Sequence, residues 1–229
     1  ALAVDVATGN AVFGFDDGPL RLGRLGFAAR SLPVGSLPPD LLALAVGEAV
    51  PHDGGIAQRT PEGQIRVQTL AVAVDEPVAG DGTRPVRALD VASGTAGTAL
   101  AALDEDGAVR VYRLTTRTDL RTGRTTIKVL PGRVPFERPP GRGVPDRLLL
   151  SAAADVLYVV WAEGLLQRYF RHPTLHWVLA ESVDLVEESG ATVTALAPLV
   201  GRSSLAVGDS TGRLRIWFRS RPEQGTDVE

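Results

Sequence analysis

Apolar residues recur at every second position in short runs along this chain, and polar turns carrying glycine break the runs. The clearest instance is Leu205–Phe218, Leu-Ala-Val-Gly-Asp-Ser-Thr-Gly-Arg-Leu-Arg-Ile-Trp-Phe. Leu205 and Val207, then Leu214, Ile216 and Phe218, keep a period of two, which predicts two strands with these side chains on the buried face. Between them Asp209 can accept backbone N–H groups within the turn, and Gly212 can take the positive φ of a bulged hairpin.

The same device occurs five times, aligned on Gly18, Gly63, Gly107, Gly164 and Gly212, with spacings of 45, 44, 57 and 48 residues. Four copies read Gly-x-Φ-Arg-Φ, with Φ apolar and the arginine at Arg21, Arg66, Arg110 and Arg215. The copy at Gly164 carries Gln167 and Arg168 instead. Ahead of the hairpin a small-residue apolar strand repeats at Ala1–Ala7, Val86–Asp90 and Val193–Ala197, as suits a crowded innermost strand. Outer strands are expected at Thr125–Leu130 and Leu175–Ala180. Strand-rich periods of this length are what propeller blades give.

The expectation is therefore an all-β chain, a β-propeller-like array of about five four-stranded antiparallel blades in one domain over 1–229. The repeats fall roughly at 1–35, 36–80, 81–147, 148–188 and 189–229, and Asp40–Val50 reads as a short helix or the second inner strand, its distance to Gly63 favouring the strand. The first repeat begins on an inner strand and the last shows three strands. A partial or open propeller follows, whose open strand edges allow self-association into a homo-oligomer.

Composition narrows the function more than the fold. A net charge of −3 over 229 residues, with pI near 5.7, gives no electrostatic footprint for nucleic acid. Cysteine is absent, which removes disulfides, thiolate catalysis and cysteine-ligated metals. The most apolar run, Leu148–Leu166, contains Ser151, Asp155 and Glu163 and ends in the repeat's own turn, so it is read as buried strands rather than a membrane span.

Arg113–Arg147 departs from the rest, with nine basic residues against Asp119, Glu137 and Asp146. Its second half, Pro131–Pro145, holds five prolines and three glycines, which exclude a central strand. The segment 131–147 is read as an inserted loop. It is either a solvated excursion or a basic contact, through Arg133, Arg138 and Arg142, for an anionic membrane surface or an acidic partner.

Candidate chemistry is sparse. Propeller symmetry would set Arg21, Arg66, Arg110 and Arg215 in a partial ring suited to an oxyanion; the alternative pairs each with a nearby carboxylate. Asp16-Asp17-Gly18 and Asp104-Glu105-Asp106-Gly107 resemble calcium loops but lack the further ligands. His52, His172 and His176 lie near turns with no nucleophile or metal arrangement around them, and Pro173 argues against a helical His172/His176 pair. No catalytic, cofactor-binding or metal-ligating residue is assigned, and a non-enzymatic role is expected.

Two partial resemblances sit on these residues. The last hairpin is similar to the blade signature of WD40 repeats, with Trp217 at the tryptophan position, although Phe218 replaces the family's aspartate and no Gly-His dipeptide exists to complete its tetrad. Asp5-x-x-Thr8-Gly9 resembles the turn of quinoprotein-like propellers, but Phe13 replaces their tryptophan.

The fuller resemblance, carried by Asp5–Gly18 and Leu205–Arg219, is to the soluble domain inserted in the long form of bacterial phosphate-specific ABC transporter permeases. It implies a WD40-like domain on the periplasmic side of the inner membrane. Its partners would be the other transporter subunits and the phosphate-binding protein. No transport residue is carried over, because the spanning helices would lie outside this chain.

Overall fold

The computed structural model describes residues 1–5, 8–14, 20–33, 35, 37–78, 84–95, 97–122, 125–172, 176–199 and 202–218, with backbone alone at 72–77, 116, 118, 125 and 126. The hairpin at Gly18 lies outside them. The chain divides into two compact units, Ala1–Arg21 with the chain from Pro77 onward, and Leu22–Glu76.

The first unit opens with β1 (Leu2–Asp5) and β2 (Asn10–Phe13), an antiparallel hairpin pairing Leu2 with Phe13 and Asp5 with Asn10. The second unit holds β3 (Arg21–Leu32), a helical turn α1 (Pro39–Leu42), β4 (Ala49–His52), β5 (Gly55–Arg59) and β6 (Ile65–Pro77). Its strands run in the order β3-β6-β5-β4, so within this unit strands of the first two repeats share a sheet instead of forming separate blades.

Of the two readings of Asp40–Val50, the favoured strand holds only for Ala49 and Val50 at the start of β4, and the segment opens as a short helix. Pro38 and Pro39 start a turn of helix, with Pro39 at the first helical positions where its missing N–H costs nothing and Asp40 in the first turn. Leu41 is thereby seated in a small core with Leu44, Ala57, Ile65 and Val67.

The first unit resumes with β7 (Val86–Gly94), β8 (Gly97–Asp104), β9 (Val109–Thr118) and β10 (Thr125–Gly132), one meander sheet with β10 at its edge. A second follows: β11 (Arg147–Leu150), β12 (Val156–Val160), β13 (Leu165–Arg171) and β14 (Trp177–Asp184). The last has three described strands, β15 (Val193–Pro198), β16 (Leu205–Asp209) and β17 (Leu214–Trp217). The protein is all-β, and the three sheets from β7 onward are antiparallel meanders that follow one another in sequence order, as in a propeller-like array.

The four described repeat turns are one structure. In each, the residue three before the glycine donates its N–H to the carbonyl just beyond it: Thr60 to Gln64 at 2.8 Å, Asp104 to Ala108 at 2.9 Å, Trp161 to Leu165 at 2.9 Å, Asp209 to Arg213 at 3.0 Å. The glycine N–H returns to that first residue's carbonyl at 2.9 to 3.1 Å. Gly63, Gly107, Gly164 and Gly212 have φ of 81, 87, 93 and 83°, the left-handed region that closes a three-residue hairpin.

Identical turns impose identical registers: Leu103 faces Val109, Val160 faces Leu166, and Gly208 faces Leu214. The apolar positions of the repeat therefore land on one face of each sheet, called here the forward face. That of the first meander (Ala101, Leu103, Val111) packs on the second (Leu148, Leu150, Leu157) with Trp161 and Tyr169. That of the second (Tyr158, Val160, Leu166) packs on Val193, Leu205 and Val207 of the third. β12 and the middle of β13 are thus buried on both faces, whereas β14 beyond Trp177 is largely exposed.

Two sequence expectations change here. Leu205 and Val207 are buried, but Leu214, Ile216 and Phe218 are 75%, 61% and 66% exposed, because they lie on the forward face of the last sheet and nothing described covers it. The segment after β10 is not a solvated excursion. Phe136 stacks on Trp161 at 5.9 Å, Trp161 Nε1 donates to the Gly143 carbonyl at 3.0 Å, and Asp146 N donates to Val160 O at 2.8 Å. Val134 and Phe136 of this segment pack against the core shared by the two meanders, while Pro131, Pro135 and Pro140 are exposed. No helix among the described residues is long and apolar enough to cross a membrane.

Candidate functional site

An open cleft of about 550 Å³ lies in the first unit, where β9 and the end of β10 approach the start of β14. The Gly107 turn delivers one wall. Val109 and Val111 lean toward the neighbouring sheet, while Arg110, on the other side of the strand, reaches back to Asp104 of its own turn. Its Nε donates to Asp104 Oδ1 at 3.0 Å, its Nη2 also bonds that oxygen, and its Nη1 reaches Tyr112 Oη at 3.4 Å.

The opposite wall is Pro131–Pro135. Trp177 N donates to Arg133 O at 2.8 Å, and Arg133 forms a parallel bridge with His176, which holds this strand-like stretch beside β14. A side chain at Gly132 would come within 2.8 Å of Val111 Cγ2, so glycine permits the close approach. Tyr112 and Trp177 are buried and Arg133 and His176 exposed, which gives the cleft an apolar floor and a polar rim that carries the Arg133 guanidinium.

Electrostatics differ between the two described hairpins whose turns open on an aspartate. Asp104 is pushed up by burial, with Arg110 opposing the shift, and its Oδ2 has no hydrogen-bond partner. Asp209 is held below the usual carboxylate range by bonds from Thr211 Oγ1, the Arg213 and Thr211 N–H groups, and the Arg215 charge. Beside the cleft, a cavity of about 10 Å³ is lined by Arg113, Arg171 and Trp177, room for about one water. Burial, then the neighbouring Arg113 charge, lowers the Arg171 pKa. Tyr169, which donates to Gln167 Oε1 at 2.7 Å, is pushed up to about 12 by burial and by Glu137.

The structure brings Arg110 and Arg133 to one cleft. Arg142 instead pairs with Asp184 at 3.7 Å, and Arg138 is exposed. Arg215 occupies the place in its hairpin that Arg110 holds in its own, bound to Asp209 at 2.8 Å and 3.7 Å from Glu187. Arg21 and Arg66 are exposed. Trp217 pairs with Leu205 and packs on the core beneath the last sheet. His172 and His176 stack at 4.6 Å across a strand connection, and the described residues contain no group of three His, Asp or Glu placed to hold a metal.

Sequence reading missed the buried Asp90. Its carboxylate accepts from Leu150 N at 2.6 Å, Val91 N at 3.0 Å and Arg202 Nη2 at 3.0 Å, tying β7, β11 and the turn before β16 together. Burial raises its pKa despite these donors. The available signal was a lone carboxylate within a small-residue apolar strand.

No family model matches this chain. No curated protein matches it either. Among solved structures it is similar to the crystal structure of the Cps50 (Swd1) β-propeller domain of Myceliophteria thermophila, at 12% identity and a TM-score of 0.38, over 95% of this chain and 68% of that one. The propeller-like architecture is seen in the strand order and in the packing of successive sheets from β7 onward.

Proposed function

We propose that this chain is a non-catalytic protein-interaction scaffold whose cleft beside β9 and β14 receives an extended segment of a partner. The observation that supports it is the cleft's composition: a floor of Tyr112 and Trp177, apolar walls from Val109, Val111 and Pro135, and Arg133 at the rim. Rigid aromatic and proline surfaces with a peripheral guanidinium are what peptide-binding grooves offer. The test is a titration with extended peptides alternating aliphatic and acidic residues, followed by tryptophan fluorescence. Saturable binding weakened about tenfold by Arg133→Glu is expected. Absence of binding, together with turnover in a panel of chromogenic ester, phosphate and glycoside substrates, would contradict the reading.

A narrower reading makes the scaffold a periplasmic accessory domain of a phosphate ABC transporter permease. It is supported by the sequence resemblance alone, and part of that motif, residues 15–18, lies outside the described residues. It requires apolar stretches of about 20 residues flanking this chain in the full coding sequence.

A further inference from the structure

The first two meander sheets, packed on each other, bring three donor side chains to one small cavity. On the first sheet Arg113 stands in a cross-strand row between Ala99 of β8 and Leu130 of β10, on the forward face two residues beyond Val111. On the second, Arg171 ends β13 opposite Trp177, the first residue of β14. These five residues line a cavity of about 10 Å³. Gly132 is also in its wall, and the Trp177 indole Nε1 lies 3.5 Å from where a Cβ on that glycine would be.

The chemistry of the walls is one-sided. Guanidinium and indole N–H groups donate and accept nothing, the Tyr112 hydroxyl already meets Arg110, and no carboxylate lines the cavity. Arg113 Nε is buried, and no acceptor among the described residues reaches it. A buried donor without an acceptor is costly, and in a native fold it points to an ordered water or ion. Burial and then the Arg113 charge lower the Arg171 pKa, so the two guanidinium groups lie close enough to repel. The carboxylate that offsets this, Asp155, is bound to Ser151 Oγ at 2.6 Å and stands outside the cavity wall.

We propose that the cavity between Arg113, Arg171 and Trp177 is a binding site for a single monatomic anion, chloride in ordinary solutions. Size decides among anions: space for about one water fits a halide and excludes phosphate, sulfate or a carboxylate side chain with its stem. Charge decides against water alone. A water accepts from Arg113 Nε but leaves two neighbouring positive charges uncompensated, whereas a halide held between them takes charge-assisted hydrogen bonds from both sheets. The ion thereby joins the first meander to the second beside the neighbouring cleft, which shares Trp177 with the cavity.

The experiment titrates chloride against the full chain, with gluconate, too large for the cavity, as the replacement anion. Holding ionic strength constant removes general screening. The thermal midpoint should rise saturably with chloride, by on the order of 3 °C, and bromide should substitute for it. The chlorine NMR linewidth of dissolved chloride should broaden when the protein is added and narrow again with bromide. Arg113→Met and Arg171→Met should each abolish both responses, and if one variant fails to fold, the other carries the test. Arg138→Met, exposed and outside the cavity wall, should keep both. A midpoint and linewidth indifferent to chloride would mean an ordered water only and overturn the proposal. So would a chloride response that a folded Arg113 or Arg171 variant retains, since the ion then binds elsewhere.

Discussion

Asp104 and Arg110 show how much a single repeat position can weigh. Asp104 is 1% exposed and its guanidinium partner 14%, so removing the arginine strands a carboxylate where water cannot reach it. Arg110→Ala should cost about 3 kcal/mol, read from urea unfolding, and Asp104→Asn in the same background should recover part of it. Asp90 gives the pH signature. Because burial raises its pKa, its contribution to stability is present at low pH and is lost as pH rises through the raised value. Asp209, held low, does the reverse: its contribution is present above the ordinary carboxylate value and is lost on acidification through the lowered one. The stability difference between the native chain and Asp90→Asn should therefore move toward the native chain as pH falls from about 7 to about 4. A difference that does not change with pH would show that Asp90 is not strained by burial.

At the scale of the hairpin, the same left-handed glycine does different work in different sheets. At Gly164 a side chain would overlap Val186 Cγ2, whereas at Gly212 it would meet nothing within 4 Å. Both carry positive φ, so alanine strains the backbone at each, but only Gly164→Ala adds a packing conflict. Unfolding free energies should fall by about 3 kcal/mol for Gly164→Ala and about 1 kcal/mol for Gly212→Ala; equal losses would mean the two turns are not packed as seen. The turns were legible in the sequence because glycine spacing and alternation are local properties. The segment after β10 was not, since Pro131–Pro145 carries the composition of a solvated loop and only Trp161, on another sheet, reveals where Phe136 goes. Asp40–Val50 misled for the opposite reason: repeat spacing suggested a strand, and two prolines at a helix start overrode it.

For the molecule as a whole, the repeat fixes which face of each sheet looks forward, and the neighbouring sheet decides whether that face is buried. Sequence periodicity placed Val111 and Ile216 alike, and could not show that one has a neighbouring sheet above it and the other does not. The cleft was invisible for a related reason: Tyr112, Arg133 and Trp177 are far apart in the chain and belong to no shared motif. The most direct measurement is a matched pair of substitutions at these equivalent positions, with urea unfolding followed at sub-micromolar concentration. Val111→Asp, buried between two sheets, should lose more than about 3 kcal/mol, and Ile216→Asp no more than about 1 kcal/mol. Equal losses at the two positions would contradict the account.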